Sequence, residues 1–226
     1  MRQKVKQTKL TKPINYTELW FHRKTGQLLH RWCSSKSKVL EIGIGEGDYL
    51  YLYPFSIDLT LGDIKVSPRL KERVGNWAKT RQLNVHQLPF SQETFEVVIM
   101  HSTIAHLENP AKAIKEIARV LKPKGKFILS TTIKGPLGLG LHKNKKGERV
   151  LEEGHINEFK TQEALIRLLE KNKRLKVMDT EKRPVYFPFK KFLPQKLVKK
   201  LIFLFDRLRL PMYFYYYNHF LVLEKK

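Results

Sequence analysis

The chain has 226 residues, 42% of them apolar, and 44 Lys or Arg against 21 Asp or Glu give it a formal net charge of +23. That apolar share supports a buried core and excludes a wholly disordered chain, and the length suits one compact domain with a modest extension. Cys33 is the only cysteine, which excludes an internal disulfide and a cysteine-based zinc cluster, so no metal is expected.

Residues 1–15 are basic and lack apolar periodicity, and read as an N-terminal arm ahead of a single domain over 16–226. Met1-Arg2-Gln3-Lys4 leads into polar residues, and no apolar run approaches the ~20 residues that cross a bilayer, so a cytoplasmic protein is expected. From Tyr16 to Cys33, Leu19, Trp20, Leu28, Leu29 and Trp32 fall near helical spacing. Lys38 to Ile42 reads as a buried strand ending in a glycine-rich turn, and Leu59-Thr60-Leu61 as a second strand. Ser67-Pro68 caps and starts a helix through Trp77, followed by a weak strand at Asn84-Val85-His86 and a good one from Phe95 to Met100.

Asn109-Pro110 opens a helix to Leu121, with Ala113, Ile114, Ile117 and Ala118 on one face, and Lys126 to Thr132 forms the next strand. Residues 134–154 read as a mobile loop. Thr161 caps a further helix, a strand follows at Leu175 to Met178, and Tyr217 to Leu223 closes the chain as a final strand. The alternation predicts an α/β fold built on a doubly wound, mostly parallel sheet.

The informative turn is Val39-Leu40-Glu41-Ile42-Gly43-Ile44-Gly45-Glu46-Gly47. A dinucleotide fingerprint would need a small residue where Asp48 stands, and a P-loop would need G-K-[ST]; neither is met. Gly62-Asp63 ends the next strand at about the 20-residue separation where a carboxylate can accept from a ribose diol. Further on come Leu88-Pro89-Phe90-Ser91, Phe95-Glu96-Val97-Val98-Ile99, His106-Leu107, Asn109-Pro110 and Ile117-Ala118-Arg119-Val120-Leu121-Lys122-Pro123-Lys124-Gly125.

In order and spacing these blocks, over residues 36–132, resemble class I S-adenosyl-L-methionine (SAM) dependent methyltransferases of the small-molecule, lipid and ubiquinone type. The resemblance implies a seven-stranded Rossmann-like sheet with helices on both faces and an antiparallel last strand. It also implies SAM as cofactor, with Gly43, Gly45 and Gly47 under the methionine part, Glu41 near the amino group and Asp63 on the ribose. Asn84 would stand at the adenine amine, and Met100, ending the fourth strand, completes the cofactor-binding set. The chain departs from the family pattern at Asn84 and Glu96, where acidic and Asp residues are usual, and at Lys124, where the first of two glycines stands. Pro54 limits the helix after the glycine turn to about two turns.

Methyl transfer needs a base only for a protonated acceptor, and His155, His101 and His106 are the candidates, with the catalytic residue itself unknown. No [ND]-P-P-[YFW] follows the fourth strand, which argues against nucleobase amine methylation of that type, and Cys33 precedes the glycine turn, which argues against a cysteine nucleophile. Within 184–213 lies a basic aromatic amphipathic insertion. Leu197, Val198, Leu201, Ile202, Leu204, Phe205 and Leu208 form a stripe opposite Lys196, Lys199, Lys200 and Arg207. It suits an anionic membrane surface, a lid over an apolar substrate, or an ordinary packed helix.

The reading that leads is methylation of a small-molecule or lipid-like acceptor. RNA methylation, motivated by the charge and by aromatics that stack on bases, and a catalytically silent SAM-fold adaptor that binds a polyanion stay open as alternatives.

Overall fold

A computed structural model describes residues 16–54, 56–135, 140, 142–184, 194, 197, 200 and 216–226. The basic arm at 1–15 and nearly all of the insertion at 184–213 lie outside the described residues. Among the described residues no helix is long and apolar enough to cross a membrane.

The described chain runs α1 (Tyr16–Trp32), β1 (Lys38–Ile42), β2 (Asp58–Asp63), α2 (Pro68–Val74), β3 (Lys79–Gln82), β4 (Phe95–His101), α3 (Pro110–Val120) and β5 (Leu121–Lys134). A small hairpin, β6 (His142–Lys143) and β7 (Arg149–Val150), precedes α4 (Gln162–Glu170), β8 (Leu175–Pro184) and β9 (Tyr216–Lys225). The three predicted helix starts hold at atomic level. The side chains of Ser67, Asn109 and Thr161 accept from the backbone N–H of Leu70, Lys112 and Ala164 at 3.0, 3.0 and 3.1 Å, which satisfies donors that a helix start leaves open.

The described residues form a seven-stranded sheet in the order β3-β2-β1-β4-β5-β9-β8. β1 pairs parallel with both β2 and β4, and only β9 runs against the rest, paired antiparallel to β5 and β8. The order reverses at β1, so a crevice opens beyond the carboxyl ends of β1 and β4, where ligands bind in open α/β sheets.

Strand residues alternate between faces, and the two cores follow that alternation. Leu40, Ile42, Val98 and Met100 pack with Ala113, Ile114 and Ile117 of α3 and Leu165 and Leu169 of α4. Val39, Val97 and Ile99 pack on the other face with Phe21 and Leu29 of α1 and Leu70 and Val74 of α2. Glu41 and His101 share this second face by period, beneath α1.

Three local readings are corrected. The third strand is Lys79–Gln82 and not 84–86. Asn84 Oδ1 accepts from the backbone N–H of His86 at 2.9 Å, which bends 84–87 into a turn, while Lys-Thr-Arg-Gln pairs as a largely exposed edge strand. After the glycine turn there is only one 3-10 turn, Leu50–Leu52; Tyr53, held extended before Pro54 (φ −91°, ψ 152°), ends it. α2 stops at Val74, because Gly75 turns left-handed (φ 53°) and its N–H donates back to Lys71 O at 2.9 Å.

The block from Leu88 to Arg119 is a brace. Arg119 donates to Phe90 O at 2.7 Å and Leu88 O at 2.9 Å, while Glu116 Oε2 accepts from Leu88 N at 2.8 Å. Arg119 also pairs with Glu116, which holds that carboxyl below its ordinary range. These contacts pin the Leu88-Pro89-Phe90 segment, and with it the 84–87 turn, to α3.

Candidate functional site

A pocket of about 1040 Å³ occupies the crevice, lined among others by Glu41, Gly43, Gly45, Gly47, Asp63, Asn84 and His101. Its volume reaches the upper end of the ~300–1,000 Å³ range of small-molecule sites. The predicted cofactor residues therefore come together, apart from Met100. That side chain is fully buried against the α3/α4 core and does not line the pocket, because the period that turns His101 toward the crevice turns Met100 away.

The glycine turn is left-handed at three points, with φ of +77°, +56° and +66° at Gly43, Gly45 and Gly47. A Cβ on Gly43 would sit 2.0 Å from Thr103 Oγ1, so backbone and β4 loop touch there; a Cβ on Gly45 would meet nothing within 4 Å. The glycine that faces ligand space is thus Gly45. Asp63 Oδ2 accepts from Gly45 N at 3.0 Å and so holds the turn beside its own carboxylate. Asp48 receives Arg73 Nη1 at 2.6 Å, and the same nitrogen donates to Glu46 O at 2.8 Å, which ties the turn to α2.

Under the turn lies a buried polar cluster that the sequence does not announce. Glu41, 2% exposed, accepts from Tyr53 Oη at 3.2 Å through Oε1, while Oε2 has no partner among the described residues. Tyr53 Oη lies 2.9 Å from His22 Nδ1, which therefore donates to it. Burial pushes the Glu41 carboxyl up to about 8 and the His22 imidazole down to about 3. The floor of the pocket is accordingly uncharged near neutral pH, with the Glu41 proton on Oε2, the oxygen that has no partner among the described residues. A cationic nitrogen would displace that proton and donate to the restored carboxylate; a vicinal diol would suit Asp63.

The histidine candidates separate. His101 is held on both ring nitrogens, Nε2 by Thr25 Oγ1 at 3.0 Å and Nδ1 by Ser130 Oγ at 2.8 Å, and burial keeps its pKa well below the ordinary value. It lines the pocket as a neutral, fixed ring. His155 is 5% exposed, lies outside the lining and stacks edge-on behind His106 at 4.8 Å between ring centroids. His106 itself lines the pocket, on a 3-10 turn at Ile104–His106.

A family model described as a methyltransferase domain matches residues 40–129. An uncharacterized methyltransferase of Bacillus subtilis, YcgJ, is 28% identical over 104 residues, covering 43% of this chain and 41% of that protein. Its crystal structure superposes with a TM-score of 0.59 at 17% identity, over 93% of this chain and 98% of the other. A phosphatidylethanolamine N-methyltransferase of Cereibacter sphaeroides is 29% identical over 110 residues, 44% of this chain and 54% of the relative. A Burkholderia thailandensis 1,6-didemethyltoxoflavin-N1-methyltransferase, solved with bound 1,6-didemethyltoxoflavin and S-adenosylhomocysteine, gives a TM-score of 0.60 at 18% identity, over 93% and 80% of the two chains. The chain spans about half the length of these curated relatives, and the structural likenesses, at such low identity, show the fold alone. Residues 40–129 thus match a methyltransferase domain, and the chain carries the fold of solved methyltransferase-like structures.

Proposed function

We propose that the pocket binds SAM and that the chain transfers its methyl group to a small-molecule or lipid-like acceptor. The observation that carries this reading is the Glu41 carboxyl, buried at the pocket floor with one oxygen lacking a partner, beneath a glycine turn whose open side faces the cavity. Glu41 takes the aminoacyl ammonium, Asp63 the ribose hydroxyls, and Gly45 gives the backbone room for the methionine part. Asn84, whose Oδ1 already accepts from His86, supports the adenine end.

When bound, the cofactor supplies an electrophilic methyl on a sulfonium; the residues supply orientation and exclusion of water. Two relatives support an acceptor of small or lipid type: the phosphatidylethanolamine enzyme and a sterol 4-C-methyltransferase of Caenorhabditis elegans, 32% identical over 106 residues. A charge of +23 supports an enzyme held at an anionic membrane surface, at ~1 kcal/mol per basic residue near it. The same charge is the observation behind RNA as the second acceptor.

Labelled SAM incubated with the protein and either anionic lipid extract or total RNA decides between them. Label in the lipid fraction is expected; label in RNA alone replaces the lipid acceptor by nucleic acid, and label in neither, with SAM bound, favours the silent adaptor.

A further inference from the structure

A second cluster stands at the mouth of the pocket, away from the polar floor. His106 comes from the turn after β4, and Glu152 and His155 from the loop after β7. One ligand-type atom of each lies within 4.8 Å of the other two. Chain separation hides this trio from any local motif, which is why the sequence gives no hint of a metal.

Two features distinguish it from a chance gathering of polar side chains. The first is the direction of both rings. His155 Nδ1 lies 2.9 Å from Glu158 Oε1 and His106 Nδ1 lies 3.0 Å from Gly154 O. A carboxylate and a carbonyl only accept, so in both rings Nδ1 carries the hydrogen. When neutral, each ring then presents the Nε2 lone pair, with its orientation fixed through Nδ1 as metal-ligating histidines usually have it. His155 Nε2 lies 3.9 Å from Glu152 Oε2.

The second is how the segment is held. Ile156 N and Asn157 N both donate to Ala105 O, at 2.8 and 2.9 Å, and Asn157 Nδ2 donates to Leu107 O at 2.6 Å. Leu151 N donates to Glu158 Oε1 at 2.9 Å. The two loops that carry the three ligands are thus clamped to each other on both sides of His106.

We propose that His106 Nε2, His155 Nε2 and the Glu152 carboxylate bind one divalent transition-metal ion. Two imidazoles and one carboxylate with positions left open suit zinc or ferrous iron. At metal–ligand distances of about 2.0–2.2 Å, closure asks for roughly 1 Å of movement, which the exposed Glu152 side chain can make. His22, Glu41 and His101 lie equally close together, but both nitrogens of His101 and Nδ1 of His22 are already engaged, so that group is not the site. His106 and Glu152 both line the pocket, so the ion would border it. An acceptor hydroxyl held on it would ionise near neutral pH and pass its proton to solvent, a task neither His101 nor His155 is placed to perform. That consequence rests on the methyl-transfer reading; the metal site does not.

The test is titration of the full-length protein with Co2+ at pH 7.5, without SAM. One ion per chain is expected, with visible ligand-field bands of a low-coordinate N,N,O site. His106→Ala and Glu152→Gln, both at exposed positions, should each weaken binding at least tenfold while circular dichroism stays native. Absence of a stoichiometric Co2+ complex, or a complex that both variants leave unchanged, overturns the proposal. SAM affinity measured on the same samples keeps its failure apart from failure of the cofactor reading.

Discussion

Tyr53 donates its hydroxyl hydrogen to Oε1 of Glu41 at 3.2 Å, and Oε2 of that carboxyl is buried without a partner among the described residues. With its pKa raised to about 8 by burial, Glu41 holds a proton at neutral pH, and an incoming ammonium would displace it. SAM binding should therefore release a proton, and affinity should rise with pH up to about 8. Glu41→Gln keeps the size and loses the charge, which should weaken binding by about 1.5–3 kcal/mol, the scale of a hydrogen bond to a charged group. Calorimetry in two buffers of different ionisation enthalpy reads the proton directly; equal heats in both would contradict the assignment.

The same carboxyl sets a pH dependence of stability. Its folded pKa is raised, so its contribution is fully present below the unfolded value near 4.5 and is lost as pH rises through about 8. His22 works in the opposite sense. Its folded pKa is lowered to about 3, so its contribution is present above 6.5 and is lost as pH falls toward 3. Between pH 6.5 and 9 the ligand-free wild type should lose melting temperature relative to Glu41→Gln. Parallel melting curves across that window would show that Glu41 is already ionised when the pocket is empty.

Gly43 and Gly45 predict different failures. At Gly43 a new Cβ meets Thr103 at 2.0 Å in addition to a φ of +77°, so Gly43→Ala should damage the fold itself. At Gly45 the Cβ points into open space and only the φ of +56° opposes a side chain, so Gly45→Val should lose SAM binding at a stability cost of about 1–3 kcal/mol, without the steric clash of Gly43. Thermal melting together with a binding titration separates the two; a folded Gly45→Val that binds SAM normally would remove the turn from the cofactor site.

Arg119→Ala should cost about 1.5–3 kcal/mol of stability, since it removes charged hydrogen bonds to Leu88 O and Phe90 O and leaves Glu116 without its partner. Urea unfolding measures it. An effect below about 0.5 kcal/mol, the range of ordinary surface changes, would mean the brace is idle.

The doubly wound sheet and the glycine turn at the crevice were legible because both depend on local signals: an apolar strand, a glycine turn, and helix caps at Ser67, Asn109 and Thr161. β3 was missed because an edge strand reading Lys-Thr-Arg-Gln has no apolar alternation to betray it, and Asn84 invited a strand where its side chain makes a turn. Met100 entered the cofactor set by its place at a strand end; which face it takes is fixed by the register of β4 on β1, Met100 opposite Ile42. The floor of His22, Tyr53 and Glu41 draws on α1, β1 and the segment before Pro54, and such convergence exists only in the fold. So does the meeting of His106 with His155.

Cofactor binding by the wild-type protein is the central claim, and isothermal titration with SAM and S-adenosylhomocysteine, alongside Asp63→Ala, tests it most directly. Asp63 lines the pocket and also accepts from Gly45 N at 3.0 Å, so its loss should weaken binding by about 1–3 kcal/mol. One site per chain is expected for either ligand, with that weakening in the variant. A folded wild-type protein that binds neither ligand, or an Asp63→Ala variant that binds as tightly as wild type, would contradict that claim.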